Sequence, residues 1–151
     1  LLSGLGGRLN MILREQQGLA YSVGVYNDVQ LDGGALVFYV RTDEGKLAAA
    51  LEGIWKVINE VKEKPVPEEE LKSIKAYLGG TESIAPQDLG ELTQRLALGQ
   101  LFKEDTATIF DRRERIRKVT AEEVQRLARK YLSAEAWAKA VVRPVAEGGK
   151  K

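Results

Sequence analysis

One stretch, from Leu5 to Tyr26, constrains the fold more than any other part of the 151-residue sequence. Its first half carries apolar residues at the spacing of one helix face, namely Leu9, Ile12 and Leu13. From Leu19 the period changes to two, which predicts a strand with one face formed by Tyr21, Val23 and Val25 and the other by Ala20, Ser22, Gly24 and Tyr26. Gly18 separates the halves and suits the C′ position of a helix, where a positive φ favours glycine. The sequence therefore predicts a helix and a strand joined by a sharp reversal at Gly18.

Arg14 and Tyr21 flank this reversal, four residues before Gly18 and three residues after it. A reversal would bring the guanidinium and the phenol within reach of one point, where both groups can donate hydrogen bonds. Two such donors suit a substrate carbonyl whose oxygen gains negative charge during a reaction. The same residues also have structural uses, because an arginine near a helix C-terminus stabilises the helix dipole and a strand tyrosine commonly packs in the core. Spacing alone leaves both interpretations open.

Two separated runs carry a family resemblance. Residues 8–23, RLNMILREQQGLAYSV, closely resemble a segment of the pitrilysin/insulinase zinc peptidases, the group that includes the mitochondrial processing peptidase, which usually reads S-R-L-x-x-x-x-R-E-x-x-G-L-A-Y-S. Residues 119–132, VTAEEVQRLARKYL, are similar to that family's V-T-A-E-D-V-x-x-x-A-x-x-Y-L. The runs follow the family's order, and the resemblance extends from about Leu5 to Val142. It identifies the chain with the C-terminal half of these enzymes, which does not bind the metal.

The resemblance implies an α+β, two-layer domain with a mostly antiparallel sheet and helices packed on one face. Residues 1–145 would form all or part of this C-terminal domain, and residues 146–151 a disordered tail. The first residue is Leu1 rather than Met, and the family's repeat unit would supply a further strand and helix upstream. We therefore expect the chain to be a portion of a longer polypeptide.

The resemblance also assigns roles to the two donors. In the family, the second arginine and the tyrosine of the first run reach across a closed chamber and hydrogen-bond the bound peptide near its scissile carbonyl. These roles fall on Arg14 and Tyr21, acting with a partner domain or subunit. The chain contains no histidine, so neither a His-based zinc site nor a Ser-His-Asp or Cys-His nucleophile can be built from it. We expect no cofactor or metal ligand in this chain, zinc in the missing domain or another subunit, and no activity of the chain alone.

Composition narrows the partners. Lys and Arg number 23 and Asp and Glu 22, a formal net charge of +1, which does not indicate a nucleic acid partner. Cysteine is absent, so disulfides and thiolate sites are excluded, and both the bacterial periplasm and the cytoplasm stay open. No apolar run approaches the length of a membrane span, and no signal peptide is visible, so we expect a soluble domain.

The remaining sequence predicts supporting elements. Residues 27–34, NDVQLDGG, predict a turn, and residues 35–42 a second strand that pairs antiparallel with the first. A helix over residues 47–61, with Trp55 at the rim of the core, would be capped by Thr42 or Asp43. Residues 68–70 are three glutamates in the first turn of the next helix, where successive side chains point about 100° apart and so favour helix capping over metal binding.

The second half predicts helices with interruptions. Breaks are expected at Gly79-Gly80 and at Ala85-Pro86, and a helix resumes at Gln87 with its inward residues at Leu89, Leu92, Leu96 and Phe102. Asp105 is predicted to cap a short helix with Ile109, Phe110 and Ile116 on one face. The other face is basic, with Arg112, Arg113, Arg115, Arg117 and Lys118, but lacks interleaved aromatics and is interrupted by Glu114. This pattern favours a solvated helix face over a nucleic acid site.

The predicted C-terminal elements support the fold. Thr120 and Glu123 predict a capping box for a helix whose buried stripe is Val124, Leu127, Ala128 and Tyr131. A closing strand is predicted from Trp137 to Val142.

Two functions follow from the sequence. The first is the substrate-clamping half of a zinc-dependent metallopeptidase. The second is a non-catalytic scaffold or assembly subunit with the same fold, which the retained Arg14 and Tyr21 fit less well. A preceding domain or an adjacent gene encoding H-x-x-E-H would favour the peptidase. A ferredoxin-like RNA binder is disfavoured, because the strands lack the aromatic signature and no basic face accompanies them.

Overall fold

The computed structural model describes residues 1–4, 6–84 and 87–144. Within them the chain has the predicted α+β class, with a two-stranded antiparallel sheet and helices packed against it. The elements in chain order are a π-helix (Asn10–Gln16), β1 (Ser22–Gln30), β2 (Gly33–Arg41), a 3₁₀ turn (Glu44–Lys46), α1 (Leu47–Glu63), α2 (Glu68–Ile84), α3 (Leu89–Leu101), α4 (Thr106–Phe110), α5 (Arg112–Lys118) and α6 (Ala121–Tyr131). None of the described helices combines the length and the hydropathy that crossing a bilayer requires.

The core lies where the π-helix and the hairpin meet α1. One buried cluster contains Leu9, Leu13, Ala20, Val23, Ile54, Val57 and Ile58. Burying an aliphatic side chain of this size contributes about 1.5–3 kcal/mol relative to leaving it exposed. The stripe predicted for the first helix is confirmed, because Leu9 and Leu13 are fully buried and Ile12 packs against the cluster. Trp55 lies at the rim of this core, as predicted.

The hairpin is longer than predicted. Its strands pair continuously from Ser22 opposite Arg41 to Gln30 opposite Gly33. The predicted antiparallel hairpin is confirmed, but its turn is confined to residues 31–32 instead of extending over residues 27–34. A side chain at Gly34 would lie 2.5 Å from the backbone oxygen of Asp28, so glycine is needed inside the strand rather than in a turn. The strand also begins later than expected, at Ser22. Ala20 and Val23 both belong to the core cluster, so the alternation predicted from Leu19 starts only after Tyr21.

The start of α1 also differs from the prediction. Asp43 precedes the 3₁₀ turn without a side-chain cap, and α1 itself begins after Lys46, which caps nothing with its side chain. The hydroxyl of Thr42 instead donates to the backbone oxygen of Leu19, 2.6 Å away. Neither predicted cap is formed, because the Thr42 hydroxyl bonds the backbone at Leu19 and the Asp43 side chain makes no capping hydrogen bond.

α2 runs unbroken from Glu68 to Ile84, so the break predicted at Gly79-Gly80 was wrong. Glycine costs about 1 kcal/mol relative to alanine inside a helix, but packing in the folded protein overrides such preferences, and α2 packs along α5. The three glutamates lie in its first turn as predicted. Glu70 additionally accepts two hydrogen bonds from Arg8, from Nε at 2.9 Å and Nη2 at 2.7 Å. The break predicted at residues 85–86 lies outside the described residues.

The next helices are shorter than expected. α3 begins at Leu89 rather than Gln87, because the carboxylate of Asp88 accepts from the backbone N–H groups of Gly90 and Glu91. Leu89 is exposed, contrary to its predicted inward position. Asp105 caps α4 as predicted, but that helix ends at Phe110 and α5 follows separately. Ile109 and Phe110 therefore lie on α4 and Ile116 on α5, so the three do not share one face of a single helix as predicted.

α6 carries the predicted capping box between Thr120 and Glu123. Its buried stripe is narrower than predicted, since Ala128 is buried but Leu127 and Tyr131 are exposed. Gln125 and Arg129 donate to the backbone oxygen of Lys62 at 3.1 and 2.7 Å. These two hydrogen bonds fix α6 to the C-terminal end of α1.

The predicted closing strand, Trp137 to Val142, is not formed among the described residues. The ring of Trp137 packs edge-on against Trp55, with centroids 5.4 Å apart and planes at 78°. This segment therefore contacts α1 through a side chain instead of pairing with the sheet. The tail predicted to be disordered, residues 146–151, lies outside the described residues.

Replacing Leu13 with alanine should lower the free energy of unfolding by about 2–5 kcal/mol, because the fully buried side chain leaves a cavity beneath the π-helix. Met11→Ala is the matched control, since this residue of the same helix is 42% exposed and should change stability by only about 0.5 kcal/mol. Urea denaturation followed by circular dichroism gives both values. Equal losses in the two variants would contradict the assigned core.

Candidate functional site

The helix that carries Arg14 is a π-helix, Asn10–Gln16. The backbone N–H of Gln17 donates to the oxygen of Ile12 at 3.0 Å, a wider turn than in an α-helix. π-Helical turns are rare and occur frequently at functional sites. Helical spacing predicted a helix here, but its type is visible only in the backbone hydrogen bonds.

The predicted reversal at Gly18 is confirmed. Its φ is 59°, the left-handed region, and its N–H donates to the backbone oxygen of Arg14 at 3.2 Å. No atom lies within 4 Å of the position that a Cβ would take. Glycine is therefore favoured here by backbone conformation and not by lack of space.

Three polar contacts hold the reversal in place. The Thr42 hydroxyl donates to the backbone oxygen of Leu19 at 2.6 Å, and the Lys46 ammonium donates to that of Gly18 at 3.1 Å. The backbone N–H of Tyr21 donates to the oxygen of Arg41 at 2.8 Å. Sequence reasoning missed the roles of Thr42 and Lys46. Their position just after the second strand was the only signal, and it does not tell which carbonyl they reach.

Both predicted site residues are accessible to solvent. Arg14 lies in the last turn of the π-helix, with 45% of its side chain exposed and its Nε 3.7 Å from a carboxylate oxygen of Glu15. Tyr21 lies just before β1 and is 83% exposed, so it is not a core residue. Among the described residues, no hydrogen bond engages the Tyr21 hydroxyl, so none joins it to Arg14.

The face of the hairpin that points away from the core carries the exposed rings of Tyr26 and Tyr39. Val23 and Val40 are opposite each other on the core side, so Gly24 and Tyr39, the next pair, lie on the other face. The Tyr39 ring covers Gly24, since a Cβ there would lie 2.8 Å from the Tyr39 hydroxyl oxygen. The Tyr26 ring stands 6.4 Å from that of Tyr39, and both tyrosines are about half exposed. This face therefore offers exposed aromatic contact area on the hairpin that follows the reversal.

The site can donate hydrogen bonds, but the residues present do not fit zinc. Zinc takes imidazole, thiolate or carboxylate ligands in tetrahedral sets, and the sequence has neither histidine nor cysteine. In the described part of the chain, no group of three or more Asp or Glu side chains is placed to hold a metal ion.

Two of the solved structures with this fold are described as inactive peptidase domains. An inactive peptidase domain from Bordetella parapertussis superimposes with a TM-score of 0.81, with 23% identity over 98% of this chain and 80% of that one. A peptidase M16 inactive domain from Pseudomonas fluorescens gives a TM-score of 0.72, with 21% identity over 87% of this chain and 31% of that one. At these identities the likeness shows the fold, an α+β domain of the same class.

Sequence comparison gives the family. A family model described as the peptidase M16 inactive domain matches residues 1–78, and the chain belongs to this family. A Mycobacterium leprae protein described as an uncharacterized zinc protease is 32% identical over 130 residues. A Bacillus subtilis protein described as the uncharacterized zinc protease YmxG is 27% identical over 140 residues. The chain covers 29% and 34% of these two relatives, so it spans about a third of their length. The resemblance seen in the sequence is thus confirmed.

Replacing Gly18 with alanine should destabilise the fold by about 1–2 kcal/mol, because a φ of 59° forces a Cβ against the following carbonyl. Gly45→Ala is the control, since it also has open space around the Cβ position but no left-handed φ. That variant should be neutral or more stable by up to about 1 kcal/mol. Thermal unfolding of both variants measures the difference, and an equal effect would show that backbone conformation is not the constraint at Gly18.

Proposed function

We propose that this chain is the substrate-clamping, C-terminal half of a zinc-dependent metallopeptidase. Arg14 and Tyr21 donate hydrogen bonds to the scissile carbonyl of a bound peptide, and zinc is held by another domain or subunit. The observation that carries the proposal is the pair of exposed donors on either side of a fixed reversal at Gly18.

Family membership supports the division of labour. The relatives described as zinc proteases are about three times as long as this chain, which leaves room for a metal-binding half. The sequence has no histidine or cysteine to bind zinc, and the described residues hold no cluster of three or more carboxylates that could replace them. Zinc, where it is bound, would act as a Lewis acid and activate water. This chain then contributes binding and orientation of the peptide.

The chemistry of the two donors suits that task. A guanidinium presents a fork of N–H groups and a phenol adds one O–H, so together they can engage one carbonyl oxygen from two directions. Negative charge grows on this oxygen as the peptide bond is attacked, and donors that are already in position stabilise it without reorganisation. The contacts from Thr42, Lys46 and Arg41 restrain the backbone between the donors. The exposed rings of Tyr26 and Tyr39 on the hairpin offer the peptide further apolar contact area.

In the complete enzyme, Arg14→Ala and Tyr21→Phe should each lower kcat/KM by about 100-fold or more, the usual effect of losing an oxyanion donor. Zinc content should not change, because neither residue is a ligand. Kinetics on a fluorogenic peptide and metal analysis of the same preparations test both statements. Tyr21→Phe is the sharper variant, since it removes only the hydroxyl from an exposed ring.

Tyr77→Phe and Arg126→Ala are the matched controls, because both residues are exposed on helices away from Gly18. Their kcat/KM should equal that of the unaltered enzyme. Wild-type rates for Arg14→Ala and Tyr21→Phe would refute the assigned roles.

The isolated chain of 151 residues should not cleave peptides when zinc is added, because it has no histidine ligand for the metal. Incubation with a mixed fluorogenic peptide library and zinc measures this. Chelator-sensitive turnover by the purified chain would contradict the division between a metal half and a clamping half.

A further inference from the structure

Helix α2 faces α4 and α5 across a cleft of about 700 Å³. The cleft lies among helices that carry neither Arg14 nor Tyr21. The residues from α2 are Lys75, Ala76, Gly79 and Gly80, and those from α4 and α5 are Phe110, Arg113, Glu114 and Arg117.

The cleft is open because short side chains oppose long ones. On α2, Ala76 and Gly80 are one helical turn apart, and Gly79 lies beside them, so this wall has almost no side chains. On the opposite wall Phe110 projects from the end of α4 and Arg113 from the start of α5. The aliphatic stem of Arg113 passes over Gly79, with its Cγ 4.0 Å from the position that a Cβ would take there. At Gly80 no atom lies within 4 Å of the position that a Cβ would take, so the α2 backbone is open to the cleft there.

The charges in the cleft do not cancel. Arg117 donates to both carboxylate oxygens of Glu114, at 2.9 and 2.8 Å, and this hydrogen bonding lowers the pKa of Glu114 below its ordinary value. The Lys75 ammonium donates to the backbone oxygen of Arg117 at 2.9 Å, a neutral partner. In the described structure Arg113 takes part in no hydrogen bond or ion pair. Lys75 and Arg113 thus leave two positive charges uncompensated beside a ring, Phe110, that is 61% exposed.

We propose that this cleft binds an acidic peptide segment, with Arg113 and Lys75 taking carboxylates and Phe110 contacting an apolar side chain between them. A guanidinium binds carboxylates bidentately, and an ammonium adds a point charge. The volume exceeds what a single inorganic anion fills.

A nucleic acid strand fits the cleft less well, since Glu114 would repel its continuous phosphates and only one aromatic residue lines the cleft. The arginines are exposed, as the sequence predicted, yet one wall of their helix forms a binding site. This inference goes beyond the proposed clamping function and does not depend on it.

The test is fluorescence anisotropy of the purified chain with the labelled pentapeptide Glu-Glu-Phe-Glu-Glu at low ionic strength. Binding should saturate and weaken with added salt, because charges at the surface are screened. Arg113→Glu and Lys75→Glu should each weaken binding by about tenfold or more, which corresponds to about 1.4 kcal/mol. Lys56→Glu, the same charge change on the exposed side of α1, is the control and should leave the affinity unchanged.

Arg113→Glu should fold normally, because the Arg113 side chain makes no hydrogen bond or ion pair in the described structure. Circular dichroism verifies that both the Arg113→Glu and the Lys75→Glu variants are folded. Four results would overturn the proposal. They are no binding of the acidic pentapeptide, equal binding of Lys-Lys-Phe-Lys-Lys, unchanged affinity in Arg113→Glu, and tighter binding of a labelled oligothymidine. The last result would assign the cleft to nucleic acid.

Discussion

The contact between Leu13 and α1 is the interaction on which the proposed site depends. A Cβ at Gly53 would lie 3.3 Å from Cγ and 3.4 Å from Cδ1 of Leu13, so the absence of a side chain lets the π-helix approach α1 closely. Leu13 is fully buried by this approach. Its neighbour Arg14 then occupies the solvent side of the same turn. Core packing thus decides which way the proposed donor faces.

The reversal at Gly18 converts this packing into a fixed geometry. Each of the hydrogen bonds from Thr42, Lys46 and the Tyr21 amide contributes only about 0.5–1.5 kcal/mol net to stability. Their position matters more than their energy, because they connect the loop between the donors to β2 and to the start of α1. Donors on a restrained backbone can stabilise developing charge without rearranging. Stability and proposed function therefore share one set of contacts.

Sequence patterns correctly predicted the features that depend on residues close together in the sequence. The stripe of Leu9 and Leu13, the positive φ at Gly18, and the capping box at Thr120 each rest on residues within one or two turns of each other, and all three are confirmed. The family and the α+β class followed from two short motifs.

The predictions that were wrong concern features that depend on contacts between residues distant in the sequence. Gly34 serves the strand because Asp28 approaches it, and Gly79 stays helical because α2 packs along α5. The segment at Trp137 pairs its ring with Trp55 and forms no strand. No local pattern reports such contacts. For the site, the sequence motif identified Arg14 and Tyr21, whereas the residues that hold the reversal at Gly18 became visible only in the structure.

The most direct test of the proposed peptide-binding roles is a crystal structure of the complete enzyme with an uncleaved peptide bound. We expect the Arg14 guanidinium and the Tyr21 hydroxyl at about 2.7–3.1 Å from the scissile carbonyl oxygen. A bound peptide whose scissile carbonyl contacts neither side chain would contradict it.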